Sequence, residues 1–209
     1  SLPEMDAEAL EQALNEASRS WRDDLQHALV RAHGELEGRR LARRWAEAFP
    51  EAYKEDFPAA VGAEDVARLQ ALAEPGSSGF DLALTRPAGM PDDADEADAL
   101  PRGDIRLKIY RAGEPLSLSH VLPMLTSLGV EVVDERPYQL TVEDRDFFCY
   151  EFGLRHPGRE PEHAARLFED ALRAVWDGYN EPDGFNGLVL GAGLTWRQAA
   201  VLRAYAKYM

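Results

Sequence analysis

The chain has 209 residues, 45% of them hydrophobic and 29% charged, with a formal net charge of −15. That length and composition suit one or two globular domains with a real core. The acidity argues against nucleic acid as a partner, because phosphate binding is driven by Lys and Arg releasing counterions, and against anionic membrane surfaces.

No apolar run is long enough to cross a bilayer, and the first residues lack a signal-peptide pattern. The single cysteine, Cys149, has no internal disulfide partner, which predicts a reducing, cytoplasmic setting. The closing stretch "RQAAVLRAYAKYM" stops in mid-pattern, so the chain is expected to be a piece of a longer polypeptide.

From Asp6 to about His33, Leu10, Leu14, Ala17, Trp21, Leu25, Ala28 and Ala32 recur at steps of three and four, predicting one long amphipathic helix that stops at Gly34. A second helix is expected with Leu36, Leu41, Trp45 and Phe49 inward, ending before Pro50. Its "GRRLARRW" cluster reads as a solvated face, with Glu35–Arg39 and Arg43–Glu47 at pairing distance. A short helix near Ala63–Ala73 precedes "EPGSSG", a boundary by turn chemistry.

Beyond that boundary the period changes to two. "FDLALTR" (Phe80–Arg86) and "DIRLKIYRA" (Asp104–Ala112) alternate as half-buried strands do. Between them, Asp92, Asp93, Asp95, Glu96 and Asp98 sit in a proline- and acid-rich loop. It lacks the ligand spacing, glycine and terminal glutamate of a calcium loop. Ser117 or Ser119 is positioned to cap a helix with Leu118, Val121, Leu122, Leu125 and Leu128 inward, and Gly129 ends it. Pro123 is compatible if that helix begins at Ser119, where a missing N–H costs little. "VEVVDERPYQL" and "DFFCYEFGL" are strands, the second with Phe148, Tyr150, Phe152 and Leu154 on one face. A last strong helix carries Ala164, Leu167, Phe168, Ala171, Leu172, Val175 and Trp176 inward.

The middle therefore reads β-β-α-β-β-α. A ferredoxin-like sheet is β-α-β-β-α-β; moving its last strand to the front gives this order, with Phe80–Arg86 antiparallel to Asp104–Ala112. The expected fold class is α+β, ferredoxin-like, with both helices on one sheet face and the other face covered by the N-terminal helices or a second sheet. The expected divisions are a helical subdomain over 1–76, the sheet domain over 79–178 and a helical segment over 179–209.

No catalytic constellation is legible: there is no G-x-S-x-G, phosphate loop or HExxH motif. His27, His33, His120, His156 and His163 lack metal-ligand spacing, so surface or capping roles are expected and no metal site is predicted. Cys149 is expected to pack as a small hydrophobe. "GLVLGAGLTW" mimics the start of a dinucleotide fingerprint, but Trp196 stands where its third glycine belongs. One binding feature survives. In "RAGEPLSLS", Arg111, Gly113, Ser117 and Ser119 mark a strand-to-helix turn whose free amides could hold a small anion or carboxylate; the plainer reading is a helix cap.

Residues Arg106–Leu140, "RLKIYRAGEPLSLSHVLPMLTSLGVEVVDERPYQL", resemble a segment of the large bacterial NAD-specific glutamate dehydrogenases. So do "FGL" at Phe152–Leu154, the tail "DGFNGLVLGAGLTWRQAAVLRAYAKYM" and the helical stretch from Ser20 to Phe57. The resemblance implies an ACT-like regulatory region, a ferredoxin-like fold tied to oligomer contacts and amino-acid sensing. It implies NAD and the catalytic residues elsewhere in the parent, with no cofactor in this segment, and other subunits of a homo-oligomer as partners. By that resemblance Gly113 corresponds to the glycine near which ACT domains bind ligand. Two other readings stay open: a stand-alone ACT-like amino-acid sensor, and a helical adaptor pairing through Leu10–Ala32, which lacks a sustained heptad.

Overall fold

A computed structural model describes residues 20–85, 105–156 and 164–209. Four helices come first: α1 (Trp21–His33), α2 (Glu35–Trp45, followed by a 3-10 turn), α3 (Glu51–Asp56) and α4 (Ala59–Ala73). Then come β1 (Phe80–Thr85), β2 (Ile105–Ala112), α5 (Leu118–Ser127), β3 (Glu131–Val142), β4 (Arg145–Arg155) and α6 (Ala164–Trp176). A 3-10 turn, α7 (Gly187–Ala192) and α8 (Trp196–Tyr208) complete the described residues.

The sheet has order β1-β2-β4-β3 with every neighbour antiparallel. Phe80 lies opposite Arg111 and Leu84 opposite Leu107, so the first strand fills the edge that the rearranged ferredoxin-like order predicts. β3 and β4 join through Glu143 and Asp144, both at positive φ, the two-residue geometry whose twist matches a hairpin.

Period-two alternation sorts the sheet residues onto two faces. On one, Leu107, Ile109, Phe148, Tyr150, Phe152 and Leu154 pack against Val121 and Leu125 of α5 and Phe168 and Leu172 of α6. On the other, Tyr110, Tyr138, Leu140, Phe147 and Cys149 pack against Leu25, Leu29, Trp45, Tyr53, Val66 and Leu69. The Trp45 and Phe147 rings meet edge-on at 5.0 Å, and Tyr53 and Tyr138 at 5.2 Å. The N-terminal helices thus cover the face that needed a cover.

Several local expectations change. Ser20 is extended and caps α1 through a reciprocal box with Asp23, so a helix from Asp6 does not run unbroken to His33. Leu10, Leu14 and Ala17 lie outside the described residues. Leu29, rather than Ala32, continues the buried stripe, because α1 packs through Leu25 and Leu29. Leu36 is 85% exposed; α2 instead turns Gly38, Leu41, Ala42 and Trp45 inward. Gly38 is there because α1 passes very close: a Cβ at this position would lie 2.4 Å from the Val30 Cα.

Glu35 pairs with Arg39 as expected, but Glu47 pairs with Arg22 instead of Arg43. The short helix is longer, starting at Ala59 after Pro58, and Pro50 precedes the additional α3. α5 starts at Leu118 with Ser117 as N-cap, so Pro123 falls inside it. Leu118 and Leu122 are exposed while Leu116 and Met124 are buried, because the helix rolls to bring Val121 and Leu125 onto the sheet.

Candidate functional site

Between the helices and the sheet lies a charged node. α4 interrupts its buried stripe of Gly62, Val66 and Leu69 with Asp65, and the centre of β2 presents Lys108 on the same side. Lys108 Nζ donates to Asp65 Oδ2 at 2.6 Å, Tyr110 Oη donates to Oδ1 at 2.7 Å, and Tyr53 Oη donates to Oδ2. The ammonium also sits 4.0 Å from the Phe57 ring centroid. Burial first, and then the Asp65 charge, push both phenols far above their ordinary range, so they stay protonated donors. The same two causes raise the Cys149 thiol, which is fully buried with Sγ 4.0 Å from Asp65.

Alternation in "DIRLKIYRA" marks Arg106, Lys108 and Tyr110 as one face of the strand, and polarity alone reads that face as solvated. The structure corrects this for Lys108 and Tyr110. The one sequence signal was an acid within an otherwise apolar helical stripe.

A second node fixes the C-terminal helix. Thr195 caps α8 through a reciprocal box with Gln198. Arg203, buried on its inner face, grips Asp183 with two bonds of 2.6 and 2.9 Å and also donates to Asn180 and Asn186. Asn186 donates to Ser127 Oγ at the end of α5, so α8 is tied to the sheet domain through a continuous polar network. Burial works against the Asp183 charge, but the Arg203 bonds outweigh it and hold that carboxyl below its ordinary range.

The turn predicted from sequence sits between β2 and α5. Gly113 has φ +86, with open space where a Cβ would project, and its N–H is taken by the Asp146 carbonyl at 2.8 Å. Ser117 and Ser119 are brought together, their hydroxyls 2.9 Å apart, and Ser117 Oγ makes no capping bond. Arg111 turns aside. It donates to the Gly79 carbonyl at 3.2 Å and lies 5.1 Å from the Trp176 ring, which stacks on Phe80 and neighbours His120 of α5. Arg111 and His120 thus both border Trp176, a juxtaposition that no local pattern announces.

The remaining leads resolve simply. Gly187–Ala192 is helical, so "GLVLGAG" does not form the strand that a dinucleotide fingerprint needs. The acidic run from Asp92 to Asp98, and His163, lie outside the described residues. Among the described residues, no group of three or more His, Cys, Asp or Glu could hold a metal ion, and no helix is long and apolar enough to cross a membrane.

An antiparallel ferredoxin-like sheet with helices on both faces, and a glycine turn leading into its first crossover helix, defines an ACT-like domain. A family model described as the ACT3 domain of glutamate dehydrogenase matches residues 81–167; models for helical motifs 2 and 3 of the same enzyme match 28–72 and 180–209. The chain belongs to the large NAD-specific glutamate dehydrogenase family. Three relatives, each named NAD-specific glutamate dehydrogenase, are similar over nearly all of it. That of Halomonas elongata is 34% identical over 99% of the chain, that of Pseudomonas aeruginosa 32% over 99%, and that of Mycobacterium tuberculosis 37% over 94%. The chain spans 12% of the length of each.

Proposed function

We propose that this chain is a non-catalytic regulatory and assembly module of a large NAD-dependent glutamate dehydrogenase. The parent polypeptide would bind NAD and, with water, convert L-glutamate to 2-oxoglutarate, ammonia and NADH in the cytoplasm. The work divides among the helical part (1–76), the ACT-like domain (79–178) and the C-terminal helical segment (179–209), in a homo-oligomer. The observation that carries this reading is a pair of buried polar nodes: Lys108–Asp65 joins the first two family-matched segments, and the Arg203 network reaches from the third to the ACT3 segment through Asn186 and Ser127. A body so cross-linked suits transmission of position between subunits. Assay of the 209-residue chain with glutamate and NAD should give no NADH, whereas the longer polypeptide should; turnover by this chain alone would overturn the assignment.

A sensing role has its own support. Open space at Gly113, the adjoining first turn of α5 with Ser117 and Ser119, and Arg111 beside Trp176 suit the carboxylate of a small amino-acid effector. Calorimetric titration with a panel of amino acids tests it. Micromolar binding that is lost in Gly113→Val supports sensing; silence across the panel leaves assembly as the module's role.

A further inference from the structure

α8 has two unlike faces. Ala199 and Arg203 are buried and Trp196 is half-buried, whereas Val201, Leu202, Tyr205, Tyr208 and Met209 are exposed, Tyr205 at 68%. At 3.6 residues per turn the exposed set falls within an arc of roughly 120° opposite Arg203. Contiguous exposed apolar surface of this kind marks an interaction site. Resting on the reading of this chain as one part of a longer polypeptide, we propose that this face of α8 docks against an apolar, carboxylate-rimmed helical surface elsewhere in that same polypeptide.

Three observations select the face and its occupant. Arg203, held by Asp183, Asn180 and Asn186, fixes the helix rotation, so the apolar stripe is presented rigidly. From Gly184 to Met209 there is no Asp or Glu, against 38 in the whole chain; Arg197 borders the stripe, and Lys207, further round the helix, is paired with Glu181 at 2.9 Å. An apolar strip with a cationic margin, on a chain of net charge −15, is complementary to an acidic rim. Finally, the chain spans 12% of its relatives' length, so most of such a polypeptide is available to supply the partner.

The sheet is a poor competitor for this role. Both its faces carry helices. On the β1 edge, Glu169 accepts the Leu84 N–H at 2.7 Å and Arg68 reaches the Leu82 carbonyl. On the β3 edge, Pro137 offers no N–H and a bulge interrupts the ladder between Val132 and Asp134. Such devices block strand addition.

Hydroxyl-radical footprinting of the longer polypeptide tests the proposal, with each residue's rate compared with its own rate after unfolding. Tyr205 and Tyr208 should be protected about tenfold. Leu202→Asp should return both to near the unfolded rate, and Leu202→Met should not. The buried Cys149 thiol, unlabelled throughout, verifies that the variants remain folded. Tyr205 reacting at its unfolded rate in the parent polypeptide overturns the proposal, as does protection that survives Leu202→Asp. Protection that disappears on dilution also overturns it, because the contact would then join separate copies. The readout does not depend on turnover, so protection without glutamate oxidation would remove the enzymatic reading and leave the docking face standing.

Discussion

Lys108 on β2 and Asp65 on α4 form an ion pair at 2.6 Å with Lys108 at 1% exposure, joining the N-terminal helices to the sheet deep between the two layers. Two phenols and an aromatic face complete the surroundings. Desolvating two charges is expensive, so the pair favours one specific helix–sheet arrangement more than it adds net stability.

Removing one partner is therefore the sharp perturbation. Lys108→Met leaves Asp65 buried without its cation and should cost about 3–5 kcal/mol in urea unfolding. Adding Asp65→Leu should recover part of that loss. In the single variant, native-state labelling of Cys149 by a thiol reagent should speed up, because the buried thiol reports on separation of the two layers. A loss below about 1 kcal/mol, the level of an exposed pair, would contradict this account.

Gly38→Ala tests the close passage of α1 and α2. The new methyl meets the Val30 backbone rather than a movable side chain, so a cost of about 1–3 kcal/mol is expected despite alanine's better helix propensity. Gly191→Ala, in open space on α7, should gain a few tenths of a kcal/mol or more. Thermal unfolding of the two variants should move in opposite directions.

Glu151 supplies a pH dependence. Burial pushes its carboxyl above the ordinary 4.5, against the pull of Arg106, Lys108 and Arg136. The folded chain thus holds this proton more tightly than the unfolded one. Its contribution to stability is complete below the ordinary value and is lost as pH rises through the raised folded value. Glu151→Gln should therefore be more stable than the parent sequence at pH 8, with the margin shrinking toward pH 4. Equal stability of the two at pH 8 would exclude the effect.

Arg203→Lys keeps the charge but loses the two-pronged grip on Asp183 and the fan of bonds to Asn180 and Asn186. A cost of at least about 2 kcal/mol is expected, concentrated in faster amide exchange along α8 and the Asp183–Asn186 turn. Exchange that accelerates uniformly across the sheet instead would show that the network does not act locally.

The sequence by itself determined the β-β-α-β-β-α order of the middle, the antiparallel placement of Phe80–Thr85 beside Ile105–Ala112, and the apolar faces of β4 and α6. Each of these rests on periodicity, which is a local property of the chain. It also carried the family resemblance in the Arg106–Leu140 stretch. Tertiary structure decided which polar residues are buried. Lys108 and Asp65 are separated by 43 positions, and Arg203 meets Asp183, Asn180 and Asn186 across a turn and a short helix. A charge inside an alternating strand reads as solvated until another layer covers it and supplies a counter-charge, and only the fold shows that layer. For the same reason Leu36 and Leu118 look buried in sequence yet face outward: helix rotation is set by the best-packing neighbours, not by the full set of apolar residues.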